Sequence, residues 1–241
     1  MEKEIENQQS ERRELGVRAQ RKEENRHRLI QTALEILIEE GLSELTTVNV
    51  SARIGLAQPT FYAYFENIEH LLTTAITERG KAIRAAMRKA LSRVTPDAVV
   101  HGDLLQARAL AYCEGLNILL SDPLGTELIL RYRRDPTTLV GREVGAVWAE
   151  ARADFALALQ KFARKLGAPA KVLKQIPFFA EIMMAETFAV AEALLDGRVT
   201  DLDEAARGLA VMNANWLSFL FVDTSFQAHA ESSRNSKKTG G

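Results

Sequence analysis

The sequence predicts an all-α protein in which an N-terminal three-helix helix-turn-helix domain is followed by a C-terminal bundle of six helices. Two observations lead to this fold class. Apolar residues recur at helical spacing along almost all of the chain, and no convincing strand alternation occurs. A glycine corner at Gly55 also separates two short helical segments, which is the arrangement of a helix-turn-helix.

The three N-terminal helices are predicted to be short, with ends marked by glycine or by capping residues. Their positions are 28–40, which Gly41 ends; 48–54, which Thr46 or Thr47 caps; and a segment within 55–65 that follows the Gly55 corner. Phe61 and Phe65 lie four residues apart in the third segment, so both are expected to face the core. These helices form the predicted domain 18–66.

The six remaining helices are longer and carry most of the apolar residues, as in a bundle with its own core. Their predicted positions are 68–94, 102–120, 123–135, 137–167, 170–195 and 203–226. Pro136 follows the third of these helices and Gly167 ends the fourth. The bundle is expected to span residues 67–229, with a disordered arm at 1–17 and a disordered tail at 230–241.

The composition is that of an ordinary globular protein, with 46% hydrophobic and 26% charged residues. The single cysteine, Cys113, excludes an internal disulfide and fits a reducing compartment. The N-terminus lacks the pattern of a signal peptide, and glutamates interrupt the most apolar stretch, 178–195. A cytoplasmic protein is therefore expected.

The sequence contains no pattern that favours catalysis. The four histidines lack metal-ligand spacing, and neither a phosphate-binding loop nor a nucleophile motif occurs. We therefore expect no catalytic residue and no metal site. The alternatives from other classes are an all-α enzyme that handles lipids or thioesters, and a lipid-binding or structural helical protein without a role on DNA.

Charge is distributed unevenly along the chain, although the net charge is only −1. Seven arginines and lysines stand against four glutamates between residues 11 and 28, whereas the segment 55–64 has no charged residue. Affinity for DNA depends on the neutralisation of phosphates by cations. If this chain binds DNA, the N-terminal arm is expected to supply much of that charge, with Arg18, Arg21 and Lys22 as candidate contacts.

The residues around the Gly55 corner have side chains that suit contacts with DNA. The candidates are Thr46, Thr47, Gln58, Pro59, Thr60, Tyr62 and Tyr64. The Gln58 amide can pair with adenine through two hydrogen bonds, Pro59 can contact a thymine methyl group, and the hydroxyl groups can bind phosphates. The alternative is that the tyrosines are half-buried packing residues and that the three helices are a plain scaffold.

The segment Gly-Leu-Ala-Gln-Pro-Thr-Phe-Tyr-Ala-Tyr-Phe at 55–65, with Leu-Thr-Thr at 45–47 upstream, resembles the DNA-binding domain of the TetR family of repressors. The resemblance covers about residues 28–72. It implies a homodimer, formed through the last two helices, on near-palindromic operator DNA. It also implies that a small-molecule effector regulates the binding of that DNA.

The resemblance also assigns roles to individual residues. It implies that Thr47 binds a phosphate, that Gln58 and Pro59 contact bases, and that Thr60, Tyr62 and Tyr64 mostly hold the DNA backbone. Two positions depart from the family pattern. Val48 stands where the tetracycline repressor has an arginine that reads guanine, and Ile68 stands where most members have a lysine that reaches a phosphate. The basic arm is expected to compensate for the missing charge.

The arm narrows the resemblance further. Residues 16–23 are similar to the N-terminus of repressors of unsaturated fatty-acid biosynthesis, the FabR and DesT branch of the family. This similarity implies a repressor of fatty-acid metabolism genes that senses a long-chain acyl thioester, either acyl-CoA or acyl carrier protein, and that has no other cofactor. The alternative is a TetR-type repressor of an efflux or catabolic operon that responds to a drug or another small metabolite.

An acyl effector needs a long apolar tunnel, and bundle cores are where such cavities form. The candidate effector-binding residues are Arg131, Arg133, Leu116, Leu120, Phe179 and Met183. The two arginines are a candidate phosphate clamp for coenzyme A or phosphopantetheine, and the four apolar residues are candidate tunnel walls. The alternatives are a solvated helix end for the arginines and ordinary core for the apolar residues.

Overall fold

The computed structural model describes residues 2–93, 95 and 104–221, with the backbone alone for residues 2–15, 93, 104 and 215–221. Within this part of the chain every regular element is helical, which confirms the all-α prediction. In chain order the helices are α1 (Glu2–Glu39), α2 (Thr47–Arg53), α3 (Gln58–Phe61), α4 (Ile68–Arg93), α5 (Leu104–Ser121), α6 (Pro123–Tyr132), α7 (Leu139–Lys165), α8 (Ala170–Leu195) and α9 (Leu202–Phe221). A 3₁₀ turn, Leu42–Glu44, lies between α1 and α2.

Helix α1 is longer than the spacing of apolar residues predicts. It begins at Glu2, so residues 2–17 are helical, which differs from the expected disordered arm. Glutamate, glutamine, arginine and lysine dominate this segment, and all four have high helix propensity. Polar composition therefore extends the helix without adding an apolar face. The predicted tail at 230–241 lies outside the described residues.

The chain divides into two compact units. The first consists of Met1–Ala85 and Ser121–Ala151, and the second of Ala86–Leu120 and Arg152–Gly241. Helices α4 and α7 therefore contribute residues to both units. The first unit contains α6 in addition to the three N-terminal helices, so the expected domain limit near residue 66 lies inside it. The boundary near residue 66 between a DNA-binding and an effector-binding domain stays a prediction.

An apolar core holds the helix-turn-helix together in the first unit. The buried side chains include Leu29, Leu34 and Leu37 of α1, Val50 of α2, Phe61 of α3, and Phe65 and Leu71 beyond it. Phe61 and Phe65 both face inward, as predicted, with ring centroids 5.9 Å apart. Burial of one such side chain contributes about 1.5–3 kcal/mol. The core thereby fixes α2 and α3 against α1.

Two arginines fasten α6 to other helices of the first unit. Arg79 of α4 pairs with Asp122, whose carboxylate also caps α6. Arg79 donates a second hydrogen bond to the side-chain oxygen of Gln31 in α1 at 2.7 Å. Arg131 of α6 donates to the carbonyl of Ile38, close to the end of α1, at 2.6 Å. These contacts explain why α6 belongs to the same unit as α1.

Helices α4 and α7 approach each other closely at Gly80 in the first unit. A Cβ atom at this position would lie 2.4 Å from Cγ1 of Val147, which is far inside van der Waals contact. Arg84, one turn further along α4, pairs with Glu150 of α7. The close approach therefore requires a residue without a side chain at position 80.

The second unit has a separate core, to which α5, α8 and α9 contribute. Its buried apolar side chains include Leu116 and Leu119 of α5, Met184, Phe188 and Ala191 of α8, and Leu209 and Ala210 of α9. Asn213 of α9 is also buried, and its amide donates to Oε2 of Glu186 in α8 at 2.7 Å. Among the helices that the structure describes, none combines the length and the apolarity that a bilayer span requires.

Candidate functional site

Local hydrogen bonds set the geometry of the helix-turn-helix. The Thr46 hydroxyl caps α2 by accepting from the backbone N–H of Asn49 at 3.1 Å. Gly55 has a φ of 71°, a left-handed conformation that favours glycine, so the chain turns sharply between α2 and α3. Arg28 of α1 donates to the carbonyl of Ile54 at 3.0 Å. Each end of α2 is therefore held by residues close to it in space.

Several of the predicted DNA-contact residues are exposed on α2 and α3. Tyr62 and Val48 are 54% and 52% exposed, and Gln58 and Pro59 also reach solvent. The Gln58 amide donates to Oγ1 of Thr47 at 3.2 Å, so side chains of the two helices meet here. We name this group the α2–α3 face, and it consists of Thr46, Thr47, Val48, Gln58, Pro59 and Tyr62.

Two other predicted contact residues, Thr60 and Tyr64, are half-buried. The Tyr64 hydroxyl accepts a hydrogen bond from the side-chain amide of Asn25 in α1 at 3.3 Å. This bond fixes the Tyr64 ring against α1. The structure thus distinguishes Tyr64, which contacts another helix of its own domain, from the exposed Tyr62 two residues earlier.

The basic residues of α1 differ in their surroundings. The predicted phosphate contacts Arg18, Arg21 and Lys22 are exposed. Arg26 instead pairs with Glu78 of α4 and lies 5.9 Å from the ring centroid of Phe65. The hydrogen bond to Glu78 raises the pKa of the Arg26 guanidinium. Arg26 therefore stabilises the first unit, while the exposed cations lie nearer to the N-terminus.

A family model matches this part of the chain. Residues 29–75 match the model described as "Bacterial regulatory proteins, tetR family". The matched residues contain the capped helix α2, the Gly55 corner and the whole α2–α3 face. Residues 29–75 are therefore a DNA-binding domain of the TetR type.

Solved structures of TetR-type regulators share its fold at low sequence identity. The fatty acid degradation regulator FadR from Bacillus halodurans has a TM-score of 0.60 at 14% identity, with 78% of this chain and 93% of that chain covered. FadR from Bacillus subtilis in complex with stearoyl-CoA has a TM-score of 0.55 at 15% identity, with coverage of 77% and 96%. A putative fatty acid metabolism regulator from Clostridium perfringens has a TM-score of 0.58 at 11% identity, with 76% of this chain and 94% of that chain covered. These similarities show the fold, and the FabR and DesT branch stays a prediction.

The second compact unit contains an apolar cavity. It holds about 680 Å³ of empty space, part of which opens to solvent. The residues around it include Met87 and Leu91 of α4, Gly115 of α5, Phe155 of α7, and Met183 and Phe188 of α8. Small-molecule sites are typically concave and have mostly apolar walls. The cavity is therefore a candidate effector site.

The predicted apolar effector residues relate to this cavity in different ways. Met183 lines it. Leu116 is fully buried in the core of the second unit and is not part of the lining. Leu120 and Phe179 are half-buried and also lie outside the lining. Their positions in the helices were predictable from periodicity, whereas the side of each helix that faces the cavity was not.

The two predicted effector arginines lie in the first unit and contact groups of that unit. Arg131 pairs with Glu127 at 2.5 Å and also donates to the Ile38 carbonyl. The guanidinium of Arg133 lies 5.5 Å from the ring centroid of Trp148. The cavity belongs to the second unit, so a role for these arginines in binding the effector stays a prediction.

Sequence reasoning missed two polar residues of α5, Arg108 and Tyr112. Tyr112 lines the cavity and is only 7% exposed. One guanidinium nitrogen of Arg108 and the Tyr112 hydroxyl are buried without a hydrogen-bond partner among the described residues. A signal was present in the sequence, because the two residues lie four positions apart and therefore share a face of a largely apolar helix.

Proposed function

We propose that this protein is a ligand-responsive repressor that binds near-palindromic operator DNA as a homodimer and controls genes of fatty-acid metabolism. The single observation that carries DNA binding is the α2–α3 face. It is exposed apart from the half-buried Thr47, it has no charged side chain, and it lies in the domain that matches the TetR family model. Uncharged hydrogen-bonding and apolar groups suit the base edges of the major groove.

Within the α2–α3 face, we assign base contacts to Gln58, Pro59 and Val48. The Gln58 amide suits adenine, and the two apolar side chains suit thymine methyl groups. The hydroxyls of Thr47 and Tyr62 are proposed to bind phosphates. Tyr64 acts indirectly in this proposal, because its hydroxyl contacts α1 and thereby positions α3.

The exposed cations of α1 supply the attraction to phosphates that the neutral α2–α3 face lacks. Arg18, Arg21 and Lys22 are exposed, whereas Arg26 pairs with Glu78 of α4. A dimer would present this set twice, so a moderate local charge would act on both halves of an operator. Arms of this kind bind the backbone or an adjacent minor groove.

A gel-shift titration with operator DNA at fixed salt tests this proposal. Replacing both Gln58 and Tyr62 with alanine should weaken operator binding by about 10-fold to 100-fold or more, because one bidentate base contact alone contributes ~1–3 kcal/mol of discrimination. The matched control replaces Leu157 and Lys161, two exposed residues of α7 outside the proposed dimer helices, with alanine and should leave the affinity unchanged. Equal affinities for the two double variants would disprove the assignment.

The last two helices support the proposed homodimer. Phe178 of α8 is 60% exposed, and Val211 and Met212 of α9 are 52% and 58% exposed. Large apolar side chains that reach solvent mark surfaces for association. A two-fold dimer through such a surface would place two copies of α3 on successive major grooves of a near-palindromic site. Sedimentation at several concentrations tests this state directly.

The proposed effector is a long-chain acyl thioester, either acyl-CoA or acyl carrier protein. Three observations support it: the apolar lining of the cavity, the similarity of residues 16–23 to the FabR and DesT branch, and the stearoyl-CoA complex of the similarly folded Bacillus subtilis FadR. An apolar drug or another metabolite of an efflux or catabolic operon is the alternative, because an apolar lining also suits such molecules.

Helix α4 is the proposed coupler between effector and DNA. Its buried residues Leu71 and Leu72 pack in the first unit, whereas Met87 and Leu91 of the same helix line the cavity of the second. An effector changes operator affinity only if it binds one conformation more tightly than the other. A shift of α4 that accompanies filling of the cavity would meet this condition.

Operator affinity with and without saturated and unsaturated acyl-CoAs, at one salt concentration, tests the effector. An effective ligand should change operator affinity by about 5-fold to 150-fold, the usual range of allosteric coupling. The variant Ala111→Phe, which fills the cavity, should abolish the response, and Leu110→Phe at the exposed neighbouring position should not. A response to drugs but to none of the acyl-CoAs would favour the alternative effector class.

A further inference from the structure

Helix α5 carries two buried polar groups that the structure leaves without a partner. Arg108 and Tyr112 lie four residues apart and therefore share a face of the helix. The Tyr112 side chain is 7% exposed, and its hydroxyl makes no hydrogen bond within the described part of the chain. One terminal nitrogen of the Arg108 guanidinium is also buried and also makes no hydrogen bond within the described part of the chain. Unpaired buried donors cost free energy, so they are rare unless a ligand satisfies them.

The electrostatic surroundings of the two groups agree with their positions one turn apart on α5. Burial lowers the pKa of Arg108 and raises that of Tyr112. A carboxylate, that of Glu186, raises the pKa of Tyr112 further, while the charge of Arg108 lowers it. Glu186 accepts a hydrogen bond from Asn213 at 2.7 Å and forms no ion pair with Arg108. Among the described residues, Arg108 thus has no counter-ion.

The cavity next to these groups is otherwise apolar. Its walls contain methionine, leucine, alanine and phenylalanine side chains, with Tyr112 and Thr187 as the polar members. The Thr187 hydroxyl already donates to the carbonyl of Met183 at 2.7 Å. Tyr112 is therefore the wall residue with an unused donor. Arg108 is not part of the lining, but it lies one turn from Tyr112 on the same face of α5 and carries a second unused donor and a positive charge. We name these two residues the polar end of the cavity.

We propose that the polar end of the cavity binds the carboxylate of a fatty acid whose hydrocarbon chain fills the apolar part. A carboxylate offers two acceptor oxygens and a negative charge, which matches one guanidinium and one phenol. A thioester carbonyl offers a single neutral acceptor and leaves the Arg108 charge without a counter-ion. The inference rests on the proposed function only in taking this cavity as the effector site, and it refines the effector from the thioester to the free acid.

Isothermal titration calorimetry on the full chain tests the proposal without DNA. Two ligands of equal chain length and opposite head charge, decanoate and decyltrimethylammonium, are compared below their micelle concentrations. Arg108→Gln should weaken the binding of decanoate by about 10-fold or more, and Tyr112→Phe should weaken it by about 3-fold to 10-fold. Arg108→Gln should leave the cationic ligand unchanged or bind it more tightly, because a like charge has been removed.

Three further variants separate binding from folding. Arg108→Lys keeps the charge and should restore part of the affinity for decanoate. Glu186→Gln removes a neighbouring negative charge and should increase the affinity for decanoate. Arg207→Gln, which removes an exposed arginine of α9 in the same unit, should change neither ligand. A raised melting temperature with decanoate in the wild type, but not in Arg108→Gln, would support the same conclusion.

If Arg108→Gln lost affinity for decanoate and for decyltrimethylammonium to the same extent, the proposal would be overturned, because Arg108 would then have a structural role. Decanoyl-CoA is titrated as a third ligand. A loss of affinity in Arg108→Gln that is confined to decanoyl-CoA would also overturn the proposal and assign the site to the thioester. Failure of the proposed function has a different signature, namely an absent gel shift with operator DNA while decanoate binding and its dependence on Arg108 persist.

Discussion

The α2–α3 face and the polar end of the cavity differ in how their polar groups are satisfied. On the α2–α3 face, local bonds hold the frame, as when the Thr46 hydroxyl caps α2, while side chains such as Tyr62 reach solvent. At the polar end of the cavity, one guanidinium nitrogen of the half-buried Arg108 and the hydroxyl of the buried Tyr112 lack hydrogen-bond partners among the described residues. The first region is complete before its ligand arrives. The second gains hydrogen bonds only when a ligand supplies acceptors.

This difference explains what each region requires of its ligand. A solvated face loses little when DNA is absent, because water satisfies its groups, so its selectivity comes from shape and hydrogen-bond pattern. A buried and unpaired donor penalises the empty state, so a matching ligand gains from relieving that penalty. In the proposed function, this gain regulates DNA binding if one conformation offers it to the effector and the other does not.

The largest expected effect tests whether the α2–α3 face depends on the core beneath it. Phe61 is fully buried and packs against Phe65, so Phe61→Ala should lower the free energy of unfolding by about 3–5 kcal/mol. Chemical denaturation with far-UV circular dichroism measures this loss, and operator binding should fall with it. The exposed neighbour Tyr62→Ala should weaken operator binding at nearly unchanged stability. Similar stability losses in both variants would contradict the division between core and face.

An intermediate effect concerns the charge that complements the neutral face. Replacing Arg18, Arg21 and Lys22 together with alanine should make the dependence of log affinity on log salt concentration less steep by about three per monomer. Discrimination between operator and unrelated DNA should stay nearly constant, because phosphate contacts carry no sequence information directly. Operator titrations at several salt concentrations measure both quantities. A constant salt slope would show that these side chains do not reach the DNA.

The smallest expected effect compares one glycine from each region. Gly55 has a φ of 71°, so Gly55→Ala should destabilise the protein by about 1–2 kcal/mol. Gly115 lies within α5, and an added Cβ would be 3.9 Å from the nearest side-chain atom, so Gly115→Ala should stabilise by about 0.5–1 kcal/mol. Gly115 also lines the cavity, so that variant should bind effector more weakly. Thermal unfolding of both variants measures the two changes in stability. Changes in the same direction would contradict the comparison.

The helix-turn-helix was predictable because its determinants are local in sequence. The cap at Thr46, the corner at Gly55 and the inward faces of Phe61 and Phe65 each follow from short-range chemistry, and the structure has all of them. The first helix was less predictable. Charged and amide side chains with high helix propensity also occur in disordered segments, so composition alone did not separate a helical extension from a disordered arm.

The cavity was less accessible to sequence reasoning, because packing between distant helices decides which side chains surround it. Met183 lines it, but Leu116, which has the same apolar character, is buried elsewhere in the core. Tyr112 was overlooked because a single tyrosine in an apolar helix is usually a packing residue. Its unpaired hydroxyl becomes visible only when the neighbouring helices are in place.

The close approach of α4 and α7 at Gly80 has a consequence for how this sequence can vary. Val147 has a branched and conformationally stiff side chain, so it does not turn aside to admit even a methyl group at position 80. No substitution there is neutral, and mutational drift in this part of the protein has to leave that position alone or change Val147 at the same time. Gly80→Ala with Val147→Ala is therefore the pair of changes through which a descendant of this regulator could alter the spacing of α4 and α7 without losing their contact.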